Sequence, residues 1–435
     1  MVGRKRFGVA LSGGGYRAAG FHIGTLKTLH KLQLLDKVDV LSTISGGSIT
    51  GAAYCLHQGN FLAFEAEMIE ILSTKSVIKY VLGSWLFLRA ALPSLITILL
   101  SIYLLFTKWA FCSIFILGLF FYLLIRFQFK LFPLSRIIEK AYNRFFFSGE
   151  TLEALCDRPE LAIGSTNLQT MRHFTFSKRK MEDSVYAYYP KPILFDNKGF
   201  PISRAVMAST CVPFAFTPVY INAEFFKDPN LASTVKPMLV DGGVYDNQGV
   251  HKITQNNSSY ACDIVLVSDA GNKVPFDKSY NNTFTLLLRT VETFMVRIKN
   301  FQMIQNIYNA DNKREVAYQS LGWDLEGCVK GFYDNLKNRN ISSALASAHN
   351  LQEEWIDTPH LYKEAIIKHL SANCNLQSIS ANSLSPERLS CIRQIGTNLT
   401  VLKAELIKDM IVHAENLTEL QLRLYCPSLF SKSVN

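Results

Sequence analysis

Phe7-Gly8-Val9-Ala10-Leu11-Ser12-Gly13-Gly14-Gly15-Tyr16-Arg17 is an apolar run that breaks into three consecutive glycines and then enters a helix-compatible stretch. A glycine run between a strand and a helix leaves backbone N–H groups unpaired and lets a substrate oxygen approach without meeting a Cβ. In outline, that is an oxyanion hole. The same residues also fit the loose G-x-G-x-x-G/A pattern of dinucleotide-binding loops, with Asp36 and Asp39 roughly twenty residues on, where a ribose-binding acid is expected. The triplet by itself does not separate acyl transfer from pyrophosphate binding.

The next strand discriminates between them. Val40 to Ile44 is a short apolar run that ends in Ser45-Gly46-Gly47-Ser48 and continues into helix-compatible Ile49 to Leu56. Strand, sharp turn and helix in this order make a nucleophile elbow, in which the turn pushes one hydroxyl, here that of Ser45, out of the strand end. The usual G-x-S-x-G pattern is broken because Thr43 holds the first small position. Far downstream, Met238-Leu239-Val240-Asp241-Gly242-Gly243 is an apolar strand that ends in an acid and runs into paired glycines. A serine hydroxyl is a weak nucleophile until a base takes its proton, and a carboxylate on a neighbouring strand end serves without a histidine. Taken singly, Ser45 reads as a turn or helix cap, and Asp241 as the acid of an Asp-Gly turn.

Combined, these pieces resemble the patatin-like phospholipase family, whose motifs are a glycine-rich oxyanion loop with a following arginine, a serine elbow and a D-G-G/A acid. Gly13, Gly14, Gly15 and Arg17 stand at the loop positions, Ser45 at the nucleophile and Asp241 at the base, in the family's chain order. Ser203 to Thr210, continuing through Pro213-Phe214-Ala215-Phe216 and Pro218, resembles the family's segment before the aspartate strand. The resemblance covers roughly residues 7–60 and 160–270 and departs from the motif only at Thr43. It implies a three-layer α/β/α core, a Ser-Asp dyad, hydrolysis of lipid acyl esters of the phospholipase A or lysophospholipase type, and no cofactor or metal. Gly13, Gly14 and Gly15 are then the oxyanion hole, and Arg17 and Gly46 candidate substrate-binding residues. The Arg17 guanidinium suits contact with a phosphate or oxyanion, and equally packing of the glycine loop.

A Ser-His-Asp triad is the mechanistic alternative. His251, ten residues after Asp241, has the chain order of α/β-hydrolases. His22 lies about two helical turns beyond Gly15, with its side chain expected away from the loop mouth. Asp269 reads as a turn cap or a second site acid. Two other function classes remain open at this level, a dinucleotide-binding oxidoreductase and a non-catalytic membrane scaffold.

The 435 residues are 49% apolar, which supplies a large core and excludes a disordered chain. A net charge of +10 comes without a compact basic run interleaved with aromatics, so an anionic membrane surface is the expected partner rather than nucleic acid. Nine cysteines without C-x-x-C pairs indicate neither a zinc site nor a disulfide framework. Met1 to Arg6 precede an apolar stretch too short for a signal peptide.

Residues 85–126 interrupt the hydrolase pattern. Ala90 to Phe106 and Trp109 to Ile125 are each seventeen residues without a charge, joined at Thr107-Lys108. Seventeen residues is about the lower limit for a spanning helix. An antiparallel membrane hairpin is expected, with an interfacial lid or a buried helical pair as alternatives. Lys75, Lys79 and Arg89 precede it and Arg126, Lys130 and Arg136 follow, with only Lys108 at the tip, so both outer ends should face the cytosol. Pro93 favours a kink and a shallower path. Such an anchor would hold the site where a lipid substrate is concentrated.

Alternation of strands with helical stretches argues for a mostly parallel α/β sheet. Leu161 to Ser165, Val185 to Tyr189, Met238 to Val240 and Asp263 to Ser268 are the expected later strands. Residues 283–320 read as helical, with Leu287, Leu288, Val291, Phe294, Met295 and Ile298 on one face packed against the core. The expected divisions are 1–80 and 150–320 for the two parts of the catalytic domain, 85–126 for the hairpin and 321–435 for a C-terminal helical region.

Overall fold

The computed structural model describes residues 4–188, 191–272 and 279–430. Its strands are β1 (Phe7–Leu11), β2 (Val38–Ile44), β3 (Glu160–Asn167), β4 (Arg172–Phe176), β5 (Met181–Asp183), β6 (Val219–Tyr220), β7 (Met238–Asp241), β8 (Ile264–Asp269) and β9 (Glu315–Ser320). They form one sheet in the order β5-β4-β3-β2-β1-β8-β9, with β7 paired to β3 and β6 to β7. Neighbours from β3 to β9 along this order run parallel, while β4, β5, β6 and β7 pair antiparallel. The strands that carry the glycine loop and the elbow are buried on both faces, as central parallel strands must be.

Eight helices position the site or the hairpin: α1 (Gly15–Lys31), α2 (Gly46–Leu56), α3 (Trp85–Leu104), α4 (Ala110–Leu131), α5 (Leu134–Tyr142), α6 (Ile202–Ser209), α7 (Thr283–Asn306) and α8 (Ala404–Tyr425). Alternate residues of each strand serve opposite faces. Val9 and Leu11 join the larger core with Phe21, Ile49 and Leu417, whereas Ala10 and Val40 join a smaller one with Val250, Ile253 and Val267. The result is the expected three-layer α/β/α arrangement.

The C-terminal residues share this core. Met410 and Ile411 of α8 press against α1 at Gly20 and Gly24, where a Cβ on Gly24 would collide with the Ile411 carbonyl. Gln319 of β9 donates to Thr418 of α8 at 2.7 Å. The C-terminal region therefore completes one face of the sheet through α8.

Three expectations change. Val185 to Tyr189 is not a strand: Ser184–Ala187 is a helical turn because the Asp183 carboxylate accepts the Val185 N–H at 2.8 Å, and Tyr189 lies outside the described residues. The helical pattern from residue 283 ends at Asn306, and Glu315–Ser320 is the edge strand β9, whose Val316 and Tyr318 face one core. The apolar stripe of α7 is not packed away. Leu287 and Phe294 are exposed, and Leu288, Val291, Met295 and Ile298 are half-buried. Met295 and Lys299 of α7 rest on the loops after β7 and β8 rather than on a broad apolar face.

The hairpin helices are longer than the uncharged runs and lie against each other, with Ser113 donating to the Ser101 carbonyl at 2.8 Å. Most other residues on them are exposed and the remainder half-buried, apart from the buried Ala90. Of the most apolar window in each helical stretch, 11% and 6% is buried, and both stretches are long and apolar enough to cross a membrane. Pro93 sits inside α3, and the backbone leaves helical geometry at Phe127 of α4.

Candidate active site

The register of β3 brings the serine and the acid together. Its residue Gly164 pairs with Ile44 at the end of β2, and its next residue, Ser165, pairs with Asp241 at the end of β7. β2 and the antiparallel β7 thus meet end to end along β3, and Ser45, one residue past β2, faces Asp241. Ser45 Oγ donates to Asp241 Oδ2 at 2.8 Å.

Ser45 has φ 50° and ψ −120°, the strained turn of an elbow, which costs on the order of 1–3 kcal/mol in a non-glycine residue. Surrounding bonds hold it there. The Ser45 N–H donates to Ser209 Oγ at 2.9 Å, and Ser209 Oγ donates to the Gly164 carbonyl at 2.6 Å. Thr43 is accommodated because the following helix has no side chain opposite it: a Cβ on Gly51 would lie 2.6 Å from Thr43 Cγ2. The Thr43 hydroxyl accepts from Ser48 at 3.1 Å. The small residue that the elbow motif lacks at position 43 is supplied from α2.

Asp241 is fixed by a second bond, from the Gly243 N–H to Oδ1 at 2.7 Å, which leaves Oδ2 for the serine. Burial pushes its carboxyl up to about 6, against the lowering effect of the bonds from Gly243 and Ser45. A base near neutrality is suited to taking a hydroxyl proton and returning it.

The glycine loop faces this pair. A Cβ on Gly46 would collide with the Gly15 carbonyl, so the two loops touch backbone to backbone. The Gly13 N–H is committed to the Asn247 carbonyl at 3.0 Å, and the Tyr16 N–H to the Asn398 carbonyl at 2.9 Å. Gly14 and Gly15, with φ of 144° and 61°, keep N–H groups without a hydrogen-bond partner among the described residues. Arg17 turns away: its guanidinium donates to the Ile395 carbonyl at 2.8 Å and packs the loop against the C-terminal region. Asn247 and Asn398 were not legible as site residues, because each acts through a backbone carbonyl.

Neither His251 nor His22 is hydrogen-bonded to Ser45. His251 packs edge-on against Tyr245, with ring centroids 5.1 Å apart, and its backbone N–H bonds the Asp246 carboxylate. His22 is buried beneath the loop, bonded to the Ser12 carbonyl and to Ser268 Oγ at 2.9 Å each, and burial pushes it down to about 4. Asp269 is neither exposed nor near the hydroxyl: it accepts Lys299 Nζ at 2.7 Å and caps Gly271. The ion pair ties α7 to the end of β8.

The geometry does not suit a dinucleotide. Asp39 lies at the amino end of β2, roughly 16 Å along the strand from the loops, and is paired to Arg158 at 3.0 Å. The space beside Gly13 is filled by the Asn247 side chain, and that beside Gly15 by the Asn398 backbone. A cavity of about 840 Å³ lies at the opposite end of the sheet, lined in part by Lys5, Arg314 and Glu315. No cluster of metal-ligating side chains occurs among the described residues.

A family model described as patatin-like phospholipase matches residues 9–252. Comparison with curated protein sequences returns no match. Among solved structures, human GIVD cytosolic phospholipase A2 in complex with methyl gamma-linolenyl fluorophosphonate and terbium chloride aligns at 14% identity with a TM-score of 0.45, covering 98% of this chain. The chain spans 58% of the length of that human structure. VipD from Legionella pneumophila aligns at 12% identity with a TM-score of 0.32, covering 100% of this chain and 93% of VipD.

Proposed function

The chain belongs to the patatin-like phospholipase family, and we propose that it is a membrane-associated lipid acyl hydrolase working through a Ser45–Asp241 dyad. The observation that carries this reading is the 2.8 Å bond from Ser45 Oγ to a buried carboxylate. As Ser45 Oγ attacks the ester carbonyl carbon, its proton passes to Asp241 Oδ2. The carbonyl oxygen becomes an oxyanion beside the free N–H groups of Gly14 and Gly15, donors that need no reorganisation. Collapse breaks the ester C–O bond, and the leaving alcohol takes the proton from Asp241. Water then attacks the acyl-serine with Asp241 as base, releasing the fatty acid and restoring the hydroxyl.

Membrane association rests on the hairpin. Exposed side chains such as Ile96, Leu99, Ile114 and Phe115 make a far larger apolar surface than a water-facing element carries. The flanking cations favour a cytosolic catalytic domain. The hairpin root is also bonded to the segment beside the acid: Thr217 Oγ1 donates to the Phe132 carbonyl at 3.3 Å, and the Cys211 carbonyl accepts the Asp241 N–H at 2.7 Å. In this arrangement the hairpin brings the dyad to the lipid surface.

The test is release of fatty acid from phospholipid vesicles. Wild type is expected to release it, with Ser45→Ala and Asp241→Asn each reduced about 10³-fold or more. Activity in Ser45→Ala near that of wild type would end the reading.

A further inference from the structure

The hairpin root holds a cavity of about 380 Å³ that the acyl chemistry leaves unused. It lies between the first turns of α3, the end of α4, α5 and the chain around Pro218 to Asn222. Four cations line it, Arg89, Lys130, Arg136 and Arg204, against one carboxylate, Glu139. Glu139 is already engaged, accepting Arg204 Nε at 3.2 Å. Arg89, Lys130 and Arg136 have no carboxylate partner among the described residues, and Lys130 Nζ is 5.8 Å from the Phe127 ring centroid.

With Glu139 shared between Arg204 and the nearby charge of Arg136, four cations from the elements around this cavity face a single carboxylate, a net positive charge that an entering anion would offset. Their level along the hairpin fits a particular anion. From Ala90 on α3, and back to Ile125 on α4, the helices carry no charge apart from Lys108 at the tip between them. Inserted into a bilayer, such a hairpin brings its root to the depth of the headgroups, where basic pockets beside membrane helices suit anionic lipids.

We propose that this cavity binds the phosphate of an anionic phospholipid headgroup, at a site separate from the ester being cleaved. The proposal rests on the membrane-associated reading above. The bound phosphate would bridge α3, α4 and α5, and α5 is joined to the loop before Asp241 by the bond from Ser135 to the Thr217 carbonyl. A resident lipid there would fix the hairpin relative to the dyad.

The test is flotation of the full chain with vesicles of phosphatidylcholine alone, or containing phosphatidic acid or phosphatidylserine at equal charge. Arg89→Gln/Arg136→Gln is compared with Lys79→Gln/Arg126→Gln, which removes the same charge from exposed positions outside the cavity. Hydrolysis of a soluble ester checks that each variant is folded, and Arg89→Gln alone replaces the pair if the double variant is not. Wild type is expected to bind phosphatidic acid vesicles about tenfold more tightly than neutral ones, a gain lost in the cavity variant and largely kept in the control. Equal loss in both doubles, or no gain from phosphatidic acid while neutral vesicles still bind, overturns the proposal alone. Wild type that floats with no vesicle overturns the membrane reading and this proposal with it. Glycerol 3-phosphate displacing the protein as effectively as the lipid would assign the cavity to a soluble phosphoester and overturn the lipid assignment.

Discussion

The end of the sheet and the hairpin use their side chains in opposite ways. Around the elbow, Ser45 and Asp241 are 8% and 7% exposed, and polar neighbours such as Ser48, Ser165 and Ser209 are hydrogen-bonded and buried. Along the hairpin, Phe115 is 74% exposed and Ile125 72%. A buried polar region that leaves the Gly14 and Gly15 N–H groups unpaired costs desolvation that its chemistry explains, while a water-exposed apolar one calls for a partner. On the function proposed above, chemistry and location belong to different parts of the chain, and altering one should leave the other intact.

The largest break in that division is expected from the hairpin. Leu99→Asp with Phe115→Asp, both on exposed faces, should lower hydrolysis of vesicle lipid about 10–100-fold and leave a soluble short-chain ester within about twofold. Equal loss on both substrates would mean that the hairpin supports the catalytic fold itself.

On the catalytic side, pH sharpens the contrast. With the Asp241 carboxyl pushed up to about 6, kcat/KM on the soluble ester should fall about tenfold per pH unit below that value, because the base must be ionised. The stability effect has the opposite sign. A carboxyl raised in the folded state contributes stability that is fully present below its unfolded pKa and lost as pH rises through about 6. Asp241→Asn should therefore be the more stable protein at pH 7.5, by about 3 kcal/mol at most, with the difference vanishing below about pH 4. Thermal unfolding across that range measures it, and a variant less stable at every pH would contradict it. The smallest effect is expected at Thr43→Gly, which restores the usual elbow pattern and should change activity by only a fewfold, since Gly51 already supplies the space.

Much of this was legible in sequence because it is local. β1 with its glycines, β2 with Ser45 and β7 with Asp241 are each a short apolar run ending in a distinctive turn, and the structure places all three runs where they were read. How they meet was not legible, since the end-to-end encounter of β2 with an antiparallel β7 depends on both pairing with β3, which is distant from each of them in the chain. The long helices show the same limit. α7 and α8 both carry apolar residues at helical spacing, yet α8 buries Ile407, Met410, Ala414 and Leu417 against α1 while none of the described side chains of α7 is fully buried. Periodicity identifies a face, not what covers it. The cue for α8 lay elsewhere, in Gly20 and Gly24 one turn apart on α1, a spacing that invites close approach of another helix. Asn247 and Asn398 support the loop through their own backbone carbonyls, and His22 through its imidazole bonded to the Ser12 carbonyl, contacts that no motif encodes.

Whether Asp241 alone activates Ser45 is decided by covalent labelling with a fluorophosphonate ester, read by intact mass and peptide mapping across pH. One adduct is expected, on Ser45, at a rate that falls below about pH 6, is nearly abolished in Asp241→Asn and stays near wild type in His251→Ala. Labelling of Asp241→Asn at the wild-type rate, or its loss in His251→Ala, would contradict the dyad.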